Sequence, residues 1–351
     1  MTDRLSGRTL DIPPGAAREA EGRARAWHVL ADLVSCGPRP GDLDLARSSP
    51  LLAAVLPEAA GPELEEVLAD HERVLGREAP PAEGLFLDAE ARLGGASAAA
   101  LGALFERCGF RPEPAGDEPE HLAVLARALA FLSGAEADAL ADGEDAATRR
   151  VRDLARELLD DHLLRWLPPW ALAVRRAGRP FPSALAGQVL DLALLHRAAL
   201  GHRAALGPAP DALRPLPDAA LDLDDPETGL REIAAFLATP AFAGTLLTPG
   251  DLAAAGRAAG TPRGFASRAD TLENLLRSAG HLDALEPLVA ALDRRLAEEQ
   301  GDLAGVAGRD PVLVPALAPW IHRCGKTRLL LAALSRRGAE PPPDAPGASR
   351  P

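Results

Sequence analysis

The fold is decided by the stretch Asp117–Leu132, which reads DEPEHLAVLARALAFL. It opens with three carboxylates, a proline and a histidine, and then becomes almost wholly apolar. Asp117 or Glu118 is suited to cap a helix, and Pro119 to stand in its first turn. Apolar residues on two faces predict a helix that is buried on most of its circumference. The first stripe is Leu122, Leu125, Leu129 and Leu132, and the second is Val124, Ala128 and Phe131.

Helical periodicity recurs along nearly the whole chain and is strongest in residues 149–170, RRVRDLARELLDDHLLRWLPPW. Apolar side chains there follow helical spacing from Val151 to Trp166, and Pro168 and Pro169 are expected to end the helix. Tyrosine is absent and aromatic residues make up 3% of the chain, which favours helices over strands. No segment shows the alternating pattern of a strand with confidence. The sequence therefore predicts an all-α protein.

Composition and charge limit the classes of function. The formal net charge of the 351 residues is −13. This argues against sequence-independent binding to nucleic acid, which needs basic surface to displace counterions from phosphates. The three cysteines are far apart and predict neither a disulfide framework nor a CxxC metal pair. No window resembles a signal peptide or a membrane span, so we expect a cytoplasmic protein without stable membrane insertion.

The distribution of proline and polar residues predicts five segments. In the second half, Asp225 is expected to cap a helix with Pro226 at its first position, and the last helix to open at Asp310-Pro311. The five segments are a disordered N-terminus at 1–20, a helical domain at 21–200, a proline-rich linker at 201–224, a helical extension at 225–337 and a disordered tail at 338–351.

The sequence contains no convincing catalytic motif. Residues Cys324–Arg328, CGKTR, include the Gly-Lys-Thr of a phosphate-binding loop. Trp320 stands where that loop needs its first glycine, and a helical run precedes it instead of a strand. The eight histidines form no HExxH pair, and no nucleophile elbow or dinucleotide-binding glycine motif occurs. The sequence therefore predicts no catalytic residue, no metal site and no cofactor.

Two clusters of acidic residues beside a histidine are unusual, at 117–121 and at 160–162. The first is interpreted either as helix capping, with favourable contact between carboxylates and the helix dipole, or as part of a binding site. His162 lies on the apolar face of its helix and is expected to be a hydrogen-bonded core histidine. Asp160 and Asp161 face water unless they bind a partner.

Four stretches occur in an order that is typical of a known family. They are RARAWHVLADLVSCGPRP at 23–40, DHERVLG at 70–76, EPEHLAVLARALAFL at 118–132 and HLLRWLPPWALAVRRAGRPFPSALAGQVLDL at 162–192. The succession resembles the TorD/DmsD/NarJ family of cytoplasmic chaperones for molybdenum-cofactor oxidoreductases, over about residues 23–200. The hinge element of that family, a proline, an acidic residue and a histidine before a buried helix, corresponds to residues 118–121. Glu120 stands here where the family usually has aspartate. The second family element matches His162, Leu163, Trp166 and Pro168, and a weaker one matches Asp70, Glu72, Arg73 and Gly76.

The resemblance implies a TorD-like helical bundle with additional C-terminal helices, which catalyses no reaction. It implies a partner, the immature catalytic subunit of a molybdopterin oxidoreductase or its twin-arginine signal peptide, held until the cofactor is inserted. Such a peptide is a cationic stretch followed by an apolar helix, which suits carboxylates beside an apolar groove. The expected client-binding residues are Glu118, Pro119, Glu120, His121, Asp160, Asp161, His162 and Trp166.

Two other classes of function stay open. A helical adaptor or scaffold would bind some other protein, and no molybdoenzyme subunit would co-purify with it. An enzyme with unrecognised chemistry would show activity without an added partner. The lack of clustered nucleophile, base and metal-ligand motifs argues against the enzyme.

Overall fold

The computed structural model describes residues 15–113, 118–201, 216–217, 221–261 and 266–339. Within these ranges the regular secondary structure is helical, and no strand occurs. Backbone pairing of the β type is confined there to an isolated antiparallel bridge between Ala82 and His121. The all-α prediction is therefore confirmed. The chain divides into two compact units, Met1–Arg214 and Pro215–Pro351.

The first unit is built from short helices around three long ones. Two π-helical turns, Val74–Glu78 and Leu158–Leu163, directly follow α4 and α8, and a 3₁₀ turn, Pro40–Asp42, precedes α2. The helices are α1 (Ala16–Cys36), α2 (Leu43–Ala46), α3 (Pro50–Ala53), α4 (Pro62–Arg73), α5 (Glu83–Leu87), α6 (Ala96–Cys108), α7 (Leu122–Ala141), α8 (Asp145–Glu157), α9 (Leu167–Arg176) and α10 (Pro180–Ala199).

Helix α7 packs along α1 at the centre of this unit. Leucines and alanines on several sides of α7 are buried, as the two apolar stripes predict. Polar contacts then fix the neighbouring helices. The buried Glu136 carboxylate of α7 accepts hydrogen bonds from Arg23 of α1 and Arg152 of α8, both at 2.7 Å. The indole N–H of Trp27 in α1 donates to Nδ1 of His196 in α10 at 3.0 Å.

The beginning of α1 differs from the prediction of a disordered segment at 1–20. The helix starts at Ala16, and Ala16 and Ala20 are buried on the same helical face as Trp27. The apolar stripe of α1 therefore extends further toward the N-terminus than the polar composition suggested. Residues 1–14 lie outside the described residues.

The prediction that Pro168 and Pro169 end a long helix is wrong. Helix α8 ends at Glu157, the chain continues through the π-helical turn, and the two prolines stand in the first turn of α9. Proline is tolerated there because the first backbone N–H groups of a helix have no intrahelical acceptor. The same prolines that cannot continue one helix therefore begin the next.

The second unit is also helical where it is described. A 3₁₀ turn, Pro311–Leu313, precedes its last helix. The helices are α11 (Leu230–Ala238), α12 (Pro240–Ala243), α13 (Pro249–Ala258), α14 (Arg268–His281), α15 (Leu285–Arg309) and α16 (Val314–Ala339). The predicted linker and tail fall largely on residues 202–215, 218–220 and 340–351, which lie outside the described residues.

The predicted helix starts of the second unit have different outcomes. Asp225 and Pro226 form a turn, in which Oδ1 of Asp225 accepts the N–H of Glu227 at 2.9 Å. Helix α11 begins only at Leu230, after Gly229, so the predicted start at Asp225 is wrong. The side chain of Asp225 accepts a backbone N–H in an Asx turn instead of capping a helix. The predicted opening at Asp310 is confirmed, since its Oδ1 accepts a backbone N–H two residues on at 3.1 Å.

The loop after α12 approaches the backbone of α16 closely at Gly244. The thiol of Cys324 donates to the Gly244 carbonyl at 3.0 Å, and the hydroxyl of Thr327 donates to the Ala243 carbonyl at 2.9 Å. Both donors belong to the CGKTR stretch. Because this stretch lies inside α16 and its threonine bonds a neighbouring carbonyl, it does not form a phosphate-binding loop.

Replacing Gly244 with alanine is expected to lower the free energy of unfolding of the second unit by about 3 kcal/mol. A Cβ there would stand 2.4 Å from the amide nitrogen of Cys324, and the φ angle of 82° disfavours a side chain. Chemical denaturation measures the loss. Gly260→Ala is the matched control, because its φ is 64° but nothing lies within 4 Å; its cost is about 1 kcal/mol. Equal losses at the two positions would contradict a close approach to α16.

Candidate functional site

The turn Glu118–His121 connects the segment after α6 to α7 and is bound to the start of α5. The N–H of Glu83 donates to the Glu120 carbonyl at 3.0 Å, and the N–H of Leu122 donates to the Pro81 carbonyl at 2.8 Å. These two bonds hold the chain on both sides of the bridge between Ala82 and His121. We call residues 118–121 the hinge turn.

His121, rather than Asp117 or Glu118, caps α7. Its Nδ1 accepts the backbone N–H of Ala123 at 3.3 Å, and α7 begins at Leu122. Pro119 is half-buried in the turn before the helix and not in the first helical turn. The capping prediction was therefore wrong, because pairing with a distant segment sets where the helix starts. Asp117 itself lies outside the described residues.

The Glu120 side chain is fully buried, with an exposed fraction of 0%. Its Oε1 accepts the N–H of Gly94 at 2.9 Å, while its Oε2 has no hydrogen-bond partner in the described ranges. Burial raises the pKa of the Glu120 carboxyl, and the nearby carboxylates of Asp88, Glu83 and Glu118 raise it further, against the hydrogen bond from Gly94. The expectation of a surface carboxylate ready to accept a guanidinium group therefore does not hold in this conformation. Glu118, in contrast, is exposed.

His162 and Glu83 form a buried pair beneath the hinge turn. Nδ1 of His162, in the π-helical turn Leu158–Leu163, lies 3.1 Å from each carboxylate oxygen of Glu83 at the start of α5. The prediction of a hydrogen-bonded core histidine is confirmed. Glu83 was missed, because nothing in its local sequence marks it as the partner of a residue so far along the chain.

Asp160 and Asp161 are half-buried and do not form an open acidic surface. Asp160 Oδ1 accepts a hydrogen bond from Nε of Arg197 at 2.6 Å, which ties the π-helical turn to α10. Burial raises the pKa of Asp161, helped by the carboxylates of Asp160 and Glu157 and opposed by His162 and Arg165. Asp160 therefore does not simply face water, because it is paired within the protein.

Trp166 belongs to the core. Its side chain has an exposed fraction of 0%, its ring stacks on Phe86 with centroids 5.5 Å apart, and it meets Trp170 edge-on at 6.3 Å. A buried ring cannot line a surface groove, so the expected contribution of Trp166 to such a groove is not what this conformation provides.

An apolar groove of about 910 Å³ lies elsewhere in the first unit. Its walls come from α1, α2, α3, α7, α10 and the stretch Phe110–Glu113 after α6. Val124 and Phe131 line it from α7, and Phe131 is 44% exposed. These two residues belong to the second apolar stripe of α7. This stripe was the sequence signal for the groove. The spacing of apolar residues along the chain could not show, however, that the stripe is exposed.

Charges of both signs surround this groove. Among the lining residues, Arg127 pairs with Asp32 at 3.3 Å and Arg25 with Glu21 at 3.5 Å. Glu113 also lines the groove and is exposed. Five positions along the chain separate Glu113 from Glu118, so the Cα atoms of these two exposed residues lie at most roughly 18 Å apart. The groove rim and the hinge turn are therefore close to each other along the chain.

The described residues provide neither a cluster of metal ligands nor a membrane-spanning helix. In the described part of the chain, no group of three or more His, Cys, Asp or Glu side chains is arranged to hold a metal ion. None of the helices described combines the length and hydropathy that a bilayer-spanning segment needs.

Residues 40–171 match the family described as nitrate reductase delta subunit. The match covers less than half of the 351 residues. The match confirms the resemblance seen in the sequence, since the family is of the NarJ/TorD chaperone type and is known for maturation chaperones. No curated protein matches the chain.

The matched segment contains the hinge turn, the Glu83–His162 pair and Trp166. The groove, however, uses more than this segment. Helix α1 precedes residue 40 and α10 follows residue 171, and both contribute walls. The matched segment supplies α7 with Val124 and Phe131. The flanking helices of the first unit are thus needed to complete the groove.

Replacing His162 with alanine is expected to lower the free energy of unfolding by about 3 kcal/mol, because it leaves the Glu83 carboxylate buried without the imidazole. Thermal and chemical denaturation measure this loss. Asp160→Ala is the comparison, since its pair with Arg197 is partly exposed and contributes about 1 kcal/mol. A loss for His162→Ala no larger than that for Asp160→Ala would contradict the structural role of the buried pair.

Proposed function

We propose that this protein is a cytoplasmic maturation chaperone that binds the immature catalytic subunit of a molybdopterin oxidoreductase and holds it until the cofactor is inserted. The observation that carries the proposal is the match of residues 40–171 to the nitrate reductase delta subunit family. In this proposal the protein catalyses no reaction and acts only by binding its client.

The apolar groove is the part of the first unit best suited to hold a client segment. Its volume of about 910 Å³ is in the range of well-formed ligand sites, and an exposed aromatic ring such as Phe131 is a typical interface anchor. Helix-in-groove recognition buries the apolar face of a peptide helix and supplies most of its affinity. We therefore propose that an apolar helix of the immature subunit occupies this groove.

We further propose that the client segment is the twin-arginine signal peptide. Its apolar part would lie in the groove, and its arginines would meet the exposed carboxylates of Glu113 and Glu118. Carboxylates accept the guanidinium fork through paired, charge-assisted hydrogen bonds. This revises the acidic set expected from the sequence, because Asp160 is paired with Arg197 and Glu120 is buried.

Replacing Phe131 with aspartate is expected to weaken client binding about thirtyfold, because burying a phenyl ring stabilises a complex by about 2 kcal/mol. The assay is co-purification with a tagged chain, scored by mass spectrometry for a molybdopterin oxidoreductase catalytic subunit. The matched control is Leu195→Asp, a residue of α10 that is 66% exposed and does not line the groove. Equal recovery of the catalytic subunit by the Phe131 variant and the control would contradict the groove assignment. Recovery of other proteins without this subunit would favour a helical adaptor.

Reversing the two rim charges tests the twin-arginine proposal separately. Glu113→Lys with Glu118→Lys is expected to reduce the affinity for a synthetic peptide of two adjacent arginines and an apolar helix by about tenfold at low salt. The difference should shrink as salt is raised, because exposed charges are screened. Glu65→Lys with Glu66→Lys, on the exposed side of α4, makes the same change in net charge. If both double variants lose affinity equally, only the overall charge matters and the rim carboxylates are not the site.

A further inference from the structure

The hinge turn is attached to the start of α5 by backbone hydrogen bonds, and the buried side chain of Glu120 makes a further attachment. The amides of Glu83 and Leu122 close the bridge on its two sides. The third bond is made by the side chain of Glu120, whose Oε1 accepts the N–H of Gly94. Glu120 therefore fastens the turn to a second segment, the loop between α5 and α6.

The surroundings of the Glu120 side chain suit a neutral carboxyl group and not a carboxylate. Its Oε2 is buried without a partner in the described ranges, and the interior there is tight, since a Cβ on Gly84 would lie 2.9 Å from Oε1. An ionised oxygen left unpaired in such a place is expensive, whereas a protonated acid is tolerated.

The charged groups that shift the pKa of Glu120 are three carboxylates from three parts of the first unit. Glu83 belongs to α5 and already contacts His162 of the π-helical turn. Asp88 follows α5, and its carboxylate accepts the N–H and the hydroxyl of Ser97 in α6 at 3.1 and 2.7 Å. Glu118 belongs to the hinge turn itself. All three carboxylates oppose a negative charge on Glu120.

We propose that the hinge turn is a two-state latch in which a buried, neutral Glu120 holds the closed form. Opening breaks the bonds to Glu83, Pro81 and Gly94 and brings Glu120 into solvent beside Glu118. There the two carboxylates bind a cationic segment of the client, a step that rests on the proposed function. The structure described above is the closed form.

The direction of the pH dependence follows from linkage. The pKa of Glu120 is raised in the closed form above its ordinary value of 4.5, so the closed form binds the proton more tightly than the open one. The stabilisation of the closed form is complete below the ordinary pKa and is lost as pH rises through the raised one. Within that window the opening equilibrium rises by up to about tenfold per pH unit.

Residue-specific amide hydrogen exchange on the full chain tests the latch without a client. After correction for intrinsic exchange, protection at Glu83 and Leu122 in the natural protein is expected to fall by up to about tenfold per pH unit between pH 4.5 and the raised pKa of Glu120, and to level off above it. In Glu120→Gln, which has nearly the same shape and cannot ionise, that slope should vanish. Glu65→Gln, which removes an exposed carboxylate of α4 that does not act on Glu120, is the control and should keep it. An equal slope in the natural protein and Glu120→Gln would overturn the latch.

The client step has its own readout at neutral pH. The synthetic peptide with two adjacent arginines should accelerate exchange at Glu83 and Leu122 in proportion to its concentration, because it binds the open form. The Glu120→Gln variant should bind the peptide more weakly and show no acceleration. Peptide binding with unchanged exchange would overturn this step. A peptide that fails to bind at all would contradict the proposed twin-arginine recognition, whereas the pH slope measured without peptide still decides the latch.

Discussion

The interaction on which the first unit depends is the burial of ionisable side chains where α5, the start of α7 and the turn Leu158–Leu163 meet. Glu83 is matched by His162 and Asp88 by the two donors of Ser97. Glu120 is held by the Gly94 amide. Leaving any of these groups buried and unpaired costs several kcal/mol, so the arrangement tolerates little displacement. It fixes where α7 begins and how the chain enters it.

Helix α7 connects this polar cluster to the apolar groove. The amide of its first residue, Leu122, closes the hinge turn, while Val124 and Phe131 form part of the groove wall. Because a helix is stiff over this length, a change at its start and a ligand along its side act on the same element. In the proposed function, this connection would couple the binding and release of a client at the groove to the hinge turn.

The fold class and the buried faces of most helices could be predicted because helical spacing repeats along the chain. The resemblance to the family could be recognised because several short stretches, the hinge turn among them, occur in the order typical of that family. The capping of α7 by His121 and the burial of Glu120 could not, since both depend on pairing with α5, which is distant in sequence. Glu83 gave no local signal for the same reason. The groove could be predicted only in part. The second apolar stripe of α7 was recognised in the sequence, but the exposure of Phe131 depends on how α1 and α10 pack.

The central claim is that the groove of the first unit receives an apolar segment of an immature molybdopterin oxidoreductase subunit. Site-specific photo-crosslinking tests it most directly, with a photoreactive residue in place of Phe131 and, for comparison, of Leu195. The photoreactive residue at position 131 is expected to crosslink to the signal peptide of a catalytic subunit that lacks its cofactor, and the one at position 195 is not. Crosslinks from position 131 to the mature, cofactor-loaded body of the enzyme, or equal crosslinking from both positions, would contradict it.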